Sequence, residues 1–197
     1  MCLTVRKPFL IYTVFAVLLS IMFLFFGGYI PTAVFCREHI KIGVFAEYIA
    51  VEGKYLYKNP LPFPVTQHLY TPFPVDGSHP FPYNIDLTAA DESGDEHDIA
   101  PLELSGKLYF NIRLPAKGEV TVRLYYRQRS LNRTCTYILK TTRKWGRPLE
   151  KAVFEAEFFE GTAPAHINYG LLPAGENRFK STYFNFMPEN DIMISWE

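Results

Sequence analysis

Charge is missing from the first part of this chain: between Pro8 and Cys36 there is no Asp, Glu, Lys or Arg. A stretch so apolar is excluded as a solvated surface segment. Net charge is missing from the whole, with 20 basic against 20 acidic residues, which excludes a broadly basic nucleic-acid binder. Cysteine is scarce, only Cys2, Cys36 and Cys135, with no CxxC or CxxCH spacing, so covalent haem, iron–sulfur and structural zinc have no support. Catalytic signatures are lacking too: there is no G-x-S-x-G elbow, H-E-x-x-H pair, P-loop or G-x-G-x-x-G turn. The five histidines, His39, His68, His79, His97 and His166, have no serine, cysteine or second histidine at diagnostic spacing. The chain therefore reads as a non-enzyme with no catalytic, cofactor-binding or metal-ligating residue to name.

What is present begins with the apolar run. Phe9 to Ile30 would span roughly 30 Å as a helix, the thickness of a hydrocarbon core. Arg6 and Lys7 stand just before it, and positive residues beside a membrane segment stay on the cytoplasmic side. The segment is too long for a cleaved signal, and cleavage after Ala33 would leave Pro31 where a small residue belongs. The sequence thus predicts a cytoplasmic tail at 1–8, a transmembrane helix at 9–30, a linker at 31–38 and an extracytoplasmic domain at 39–197. Gly27-Gly28 offers a point of close approach to another helix.

After residue 37 helical periodicity is nearly absent and alternation recurs. Ile40, Ile42 and Val44 alternate with Lys41 and Gly43, and Tyr55 and Tyr57 continue a second extended run. Leu108, Phe110, Ile112 and Leu114 form one face of a strand; a turn at Pro115–Gly118 then leads to a partner carrying Val120, Val122, Leu124 and Tyr126. Further strands are predicted over 134–142, 152–159, 179–186 and 192–196. The fold class is mainly β: a single N-terminal transmembrane helix followed by an antiparallel β-sandwich. Cys135 falls inside a strand pattern and reads as a small buried hydrophobe, with a Cys36–Cys135 disulfide as the alternative.

Prolines crowd residues 59–83, and since proline donates nothing to a ladder they belong to sheet edges and ordered turns. The phenylalanines among them, Phe73 and Phe81, are either packed into the core or displayed to a partner. From Val120 to Leu149 there are eight basic residues and no acidic one. Alternation puts Arg123, Tyr125, Arg127 and Arg129 on one face, able to meet a partner subunit or anionic headgroups, unless nearby acids such as Glu155 and Glu157 neutralise them. The acidic run Asp91–Asp98 reads as an exposed hairpin tip, lacking an EF-hand pattern. Trp145 reads as a cap over the core, with ligand stacking as its alternative.

Three segments, Val51–Asn59, Pro72–Asp76 and Tyr137–Leu149, resemble exported, membrane-anchored bacterial β-sandwich proteins of unknown function. The resemblance implies a fold over about residues 40 to 160 and an extracytoplasmic place, and it supplies no activity. The functional expectation is a non-catalytic accessory or structural subunit of a membrane protein complex. Its partners would be other membrane subunits, the bilayer and anionic headgroups, met through Arg123, Tyr125, Arg127, Arg129, Phe73 and Phe81. The alternative is a membrane-tethered binding module for a small molecule or glycan.

Overall fold

The computed structural model describes residues 7–26 and 32–197. A helix, α1, covers Lys7–Phe26. The rest is strand and turn: β1 (Val34–Val44), β2 (Tyr48–Lys58), β3 (Val65–Pro72), β4 (Tyr83–Asp91), β5 (Glu96–Asp98), β6 (Leu102–Leu104), β7 (Lys107–Leu114), β8 (Glu119–Arg129), β9 (Thr134–Tyr137), β10 (Leu149–Phe158), β11 (Pro164–Ile167), β12 (Leu172–Pro173), β13 (Arg178–Phe186) and β14 (Ile192–Trp196). One short 3-10 helix, Lys140–Trp145, follows β9.

Eight strands form one large sheet in the order β12-β13-β10-β1-β2-β8-β4-β5, and two three-stranded sheets, β11-β14-β9 and β3-β7-β6, accompany it. The mainly β expectation holds, but the purely antiparallel one needs correction. β1 and β10 run parallel, in register from Arg37 opposite Lys151 to Val44 opposite Phe158. A parallel pair needs a long excursion between its strands, and here the excursion carries β2 to β9.

The hairpin expected at Pro115–Gly118 is also corrected. β7 pairs with β3 and β6, whereas β8 pairs with β2 and β4, so this turn steps from one sheet to another. Alternation is blind to the difference, because both strands need one apolar face in either arrangement. The step is held by Asn59, buried at 2% exposure, whose Nδ2 donates to Phe63 O and Pro115 O at 2.8 and 2.7 Å.

Two boundaries shift. β1 begins at Val34, so part of the expected linker is strand, with Phe35 and Cys36 in the core. The strand expected over 134–142 stops at Tyr137, and the chain turns into the 3-10 helix that Gly146 ends with a φ of 68°. Cys36 and Cys135 are both buried and free, as the small-hydrophobe reading requires for Cys135.

Among the described residues no helix is long and apolar enough to cross a membrane. The side chains described on α1, residues 11–24, are exposed and cover about 21 Å, short of a full span. The tail before Lys7, Cys2 among it, and residues 27–31 lie outside the described residues, and with them one end of the predicted span.

Candidate functional site

The inward face of β1 decides the site. Ile40, Ile42 and Val44 point into the core, and period two carries the same face back to residue 38, which is a glutamate. Beyond it the register shifts between Phe35 and Arg37, a bulge that turns Phe35 inward as well. Glu38 is 4% exposed, and its Oε1 has no hydrogen-bond partner among the described residues. Burial alone pushes its carboxyl up to about 8.

Glu38 lines a cavity of about 280 Å³ where the three sheets meet. The large sheet supplies Phe35, Tyr55 and Tyr57, β3 supplies residues from Gln67 to Pro72, and β9 with the 3-10 helix supplies Tyr137 to Trp145. Tyr55 lies opposite Glu38 across the β1–β2 ladder, and its hydroxyl shares a 2.7 Å hydrogen bond with that of Tyr137. Room for this ring comes from Gly53, one inward position earlier on β2. A Cβ there would land 2.5 Å from Tyr55 Cζ. Desolvation holds the phenols of Tyr55, Tyr57 and Tyr137 well above their ordinary value, so they stay neutral donors.

Aromatic rings close one wall. Phe35 stacks on Tyr57 with centroids 5.0 Å apart, and Trp145 leans on both, 5.8 Å from Phe35 and 5.6 Å from Tyr57. Trp145 thus covers the core as expected, and it does so at the cavity. At the rim Lys144 donates to the Tyr70 hydroxyl at 2.7 Å and sits 5.4 Å from the centre of the same ring.

The residues singled out from sequence lie elsewhere. Arg123, Tyr125, Arg127 and Arg129 do share the outer face of β8, while Val122, Leu124, Tyr126 and Gln128 face the core. Yet the face is not a bare cationic stripe. Arg123 meets Glu96 at 3.1 Å, and Arg127 donates to the Tyr125 hydroxyl at 2.9 Å and lies over the Tyr48 ring. Neighbouring strands add Glu52 beside Lys54 and Glu155 between His39 and Lys180. These pairs neutralise one another, and the exposed ones are individually worth little.

Phe73 must be corrected as a contact residue: it is 6% exposed, edge-on to Tyr126 at 4.9 Å and to Phe81 at 5.4 Å. Phe81 is partly buried against the same core. Buried Gln128 fastens this proline-rich segment by donating to Pro74 O and Pro80 O. The acidic run is an exposed tip between β4 and β5, and among the described residues no group of His, Cys, Asp or Glu is placed to hold a metal ion. The alternation that begins at Ile40 leaves Glu38 out. Extending the alternation by two residues would have put a carboxylate in the core.

Comparison with known proteins bears on the fold. No family model matches the chain, and no curated protein does. Among solved structures it is similar to a candidate nutrient-binding protein from Legionella pneumophila, with a TM-score of 0.66 and 15% identity, over 84% of this chain and 67% of that one. Looser likenesses reach a candidate protease from Parabacteroides distasonis (TM-score 0.43, 7% identity, 84% of this chain, 40% of that one) and yeast LTA4 hydrolase (0.48, 11%, 84% and 29%). The mainly β architecture implied by the sequence resemblance is therefore shared with the Legionella protein.

Proposed function

We propose that the domain is a non-catalytic binding module for a small molecule, held in the cavity around Glu38. The observation that carries the reading is a buried carboxyl oxygen without a partner on the wall of an aromatic cavity. Natural interiors rarely leave a polar group so, because burial without a hydrogen bond costs roughly 1–3 kcal/mol. A cavity of this size, mainly apolar and with a few convergent polar groups, is what small-ligand sites look like. The nutrient-binding name of the Legionella neighbour points the same way. The apolar run behind Arg6 and Lys7 makes the module a membrane-tethered one, with its N-terminus cytoplasmic and the domain outside.

The accessory-subunit reading would place partners on the outer face of β8. Its support is weaker now that Arg123 is paired with Glu96 and Phe73 is packed inside.

A thermal-shift screen of the full chain in mild detergent against small aromatic and polar compounds tests the proposal. A binder should raise the melting temperature of the wild type. It should not raise that of Thr141→Trp, which fills the cavity from a half-exposed lining position. Equal shifts in both proteins would place binding elsewhere and overturn the reading.

A further inference from the structure

Resting on that reading, we propose that the ligand is an organic cation, a protonated arylalkyl amine whose ammonium group meets the Glu38 carboxylate while its ring lies among the aromatic side chains. Glu38 is the one carboxylate among the cavity's lining residues. Its Oε1 lacks a donor, and an ammonium N–H brings both the donor and the charge that make a buried carboxylate stable. A neutral hydroxyl would supply the donor without the charge.

The walls favour the same chemistry. Phe35, Tyr55, Tyr57, Tyr137 and Trp145 surround the space. Aromatic faces attract cations electrostatically, most strongly where water is excluded. The volume admits more than a ring: an apolar cavity of about 150 Å³ takes benzene, and this one measures about 280 Å³. A benzene ring with a two-carbon amine arm fits within that allowance.

Binding carries a proton with it. In the free protein Glu38 is held up to about 8 by desolvation, so near neutrality it is a protonated acid. When the ammonium arrives, the Glu38 O–H bond breaks, its proton leaves to solvent, and a carboxylate–ammonium pair remains. The phenols that face Glu38 stay neutral through this window. Tyr55, Tyr57 and Tyr137 are phenols pushed above their ordinary value, and Tyr169 is raised as well. The rim bears His68, bonded to Asn111, and Lys144, bonded to Tyr70.

The test uses phenethylamine and its uncharged counterpart 2-phenylethanol on the full chain in detergent. Calorimetry in two buffers of different ionisation enthalpy should find about one proton released per phenethylamine bound at pH 7 and none for the alcohol. Affinity for the amine should rise about tenfold per pH unit between pH 6 and 7, since the amine itself stays protonated there. Glu38→Gln should weaken the amine about thirtyfold or more, remove its pH dependence and erase its advantage over the alcohol. The proton count needs no variant, so it decides even if Glu38→Gln misfolds. Equal affinity for amine and alcohol, or binding of the amine without proton release, overturns the cation and leaves the binding module standing. Failure of both probes also overturns the cation, and the binding module is then judged by the screen against Thr141→Trp.

Discussion

Replacing Glu38 by Gln should remove a pH dependence of stability that the wild type carries without any ligand. The carboxyl sits near 8 in the folded protein against an ordinary 4.5. Between those values the folded chain keeps a proton that the unfolded chain has lost, so raising the pH favours unfolding. The stability is fully present below about 4.5 and is lost as pH rises through the folded value. A difference of 3.5 units (8 less 4.5) at 1.36 kcal/mol each sets a ceiling of about 5 kcal/mol across the window. The slope is about 1.4 kcal/mol per pH unit, which for a chain of this size is roughly 3 to 5 °C in melting temperature. Gln has the same shape and does not titrate, so its curve should lack this component and lie above the wild type at pH 8. Thermal melts of both full-length proteins in one detergent, from pH 5 to pH 8, give the answer by subtraction. Parallel curves would mean that Glu38 titrates near its ordinary value, and the buried, unpartnered carboxyl would be refuted.

Gly53→Ala should cost about 1–3 kcal/mol, because the new methyl displaces the Tyr55 ring and breaks its hydroxyl bond to Tyr137; chemical denaturation measures the loss, and a neutral result would show that the ring moves freely. Replacing Arg123, Arg127 and Arg129 together by Gln should leave the fold intact and change stability by less than about 1 kcal/mol, since all three lie on the outer face of β8 away from the core. A large loss of denaturation midpoint would show them to be structural. A chain beginning at Thr32 should fold cooperatively, whereas one beginning at Arg37 should be less stable by several kcal/mol for want of Phe35, which stacks on Tyr57; equal midpoints would deny β1 its first residues. N-terminal sequencing of the mature protein should find residues before Phe9, and a start between Ala33 and Arg37 would defeat the membrane tether.

Much was legible from local pattern. The alternation of Leu108 to Leu114 and of Val120 to Tyr126 assigned faces that the structure keeps, since a strand's period of two is a property of its own backbone. The prolines of residues 59–83 marked turns and the edge strand β3 for an equally local reason, their missing N–H. Pairing was not local. That β7 and β8 enter different sheets, and that β1 lies parallel to β10, depends on contacts between residues far apart in the chain, which alternation cannot rank. The basic run illustrates the same limit, because Arg123 and its partner Glu96 are separated by 27 residues and the sequence displays the cations without their counter-charges. The cavity is the extreme case. Phe35 and Glu38, Tyr55 and Tyr57, Tyr137 and Trp145 come from three separate stretches, each unremarkable alone. By itself the sequence determined which faces turn inward in the strands it marked, β1 from Ile40 onward among them; only the tertiary structure carried that face back to Glu38, and only the packing of three sheets left its carboxyl beside a cavity without a hydrogen-bond partner.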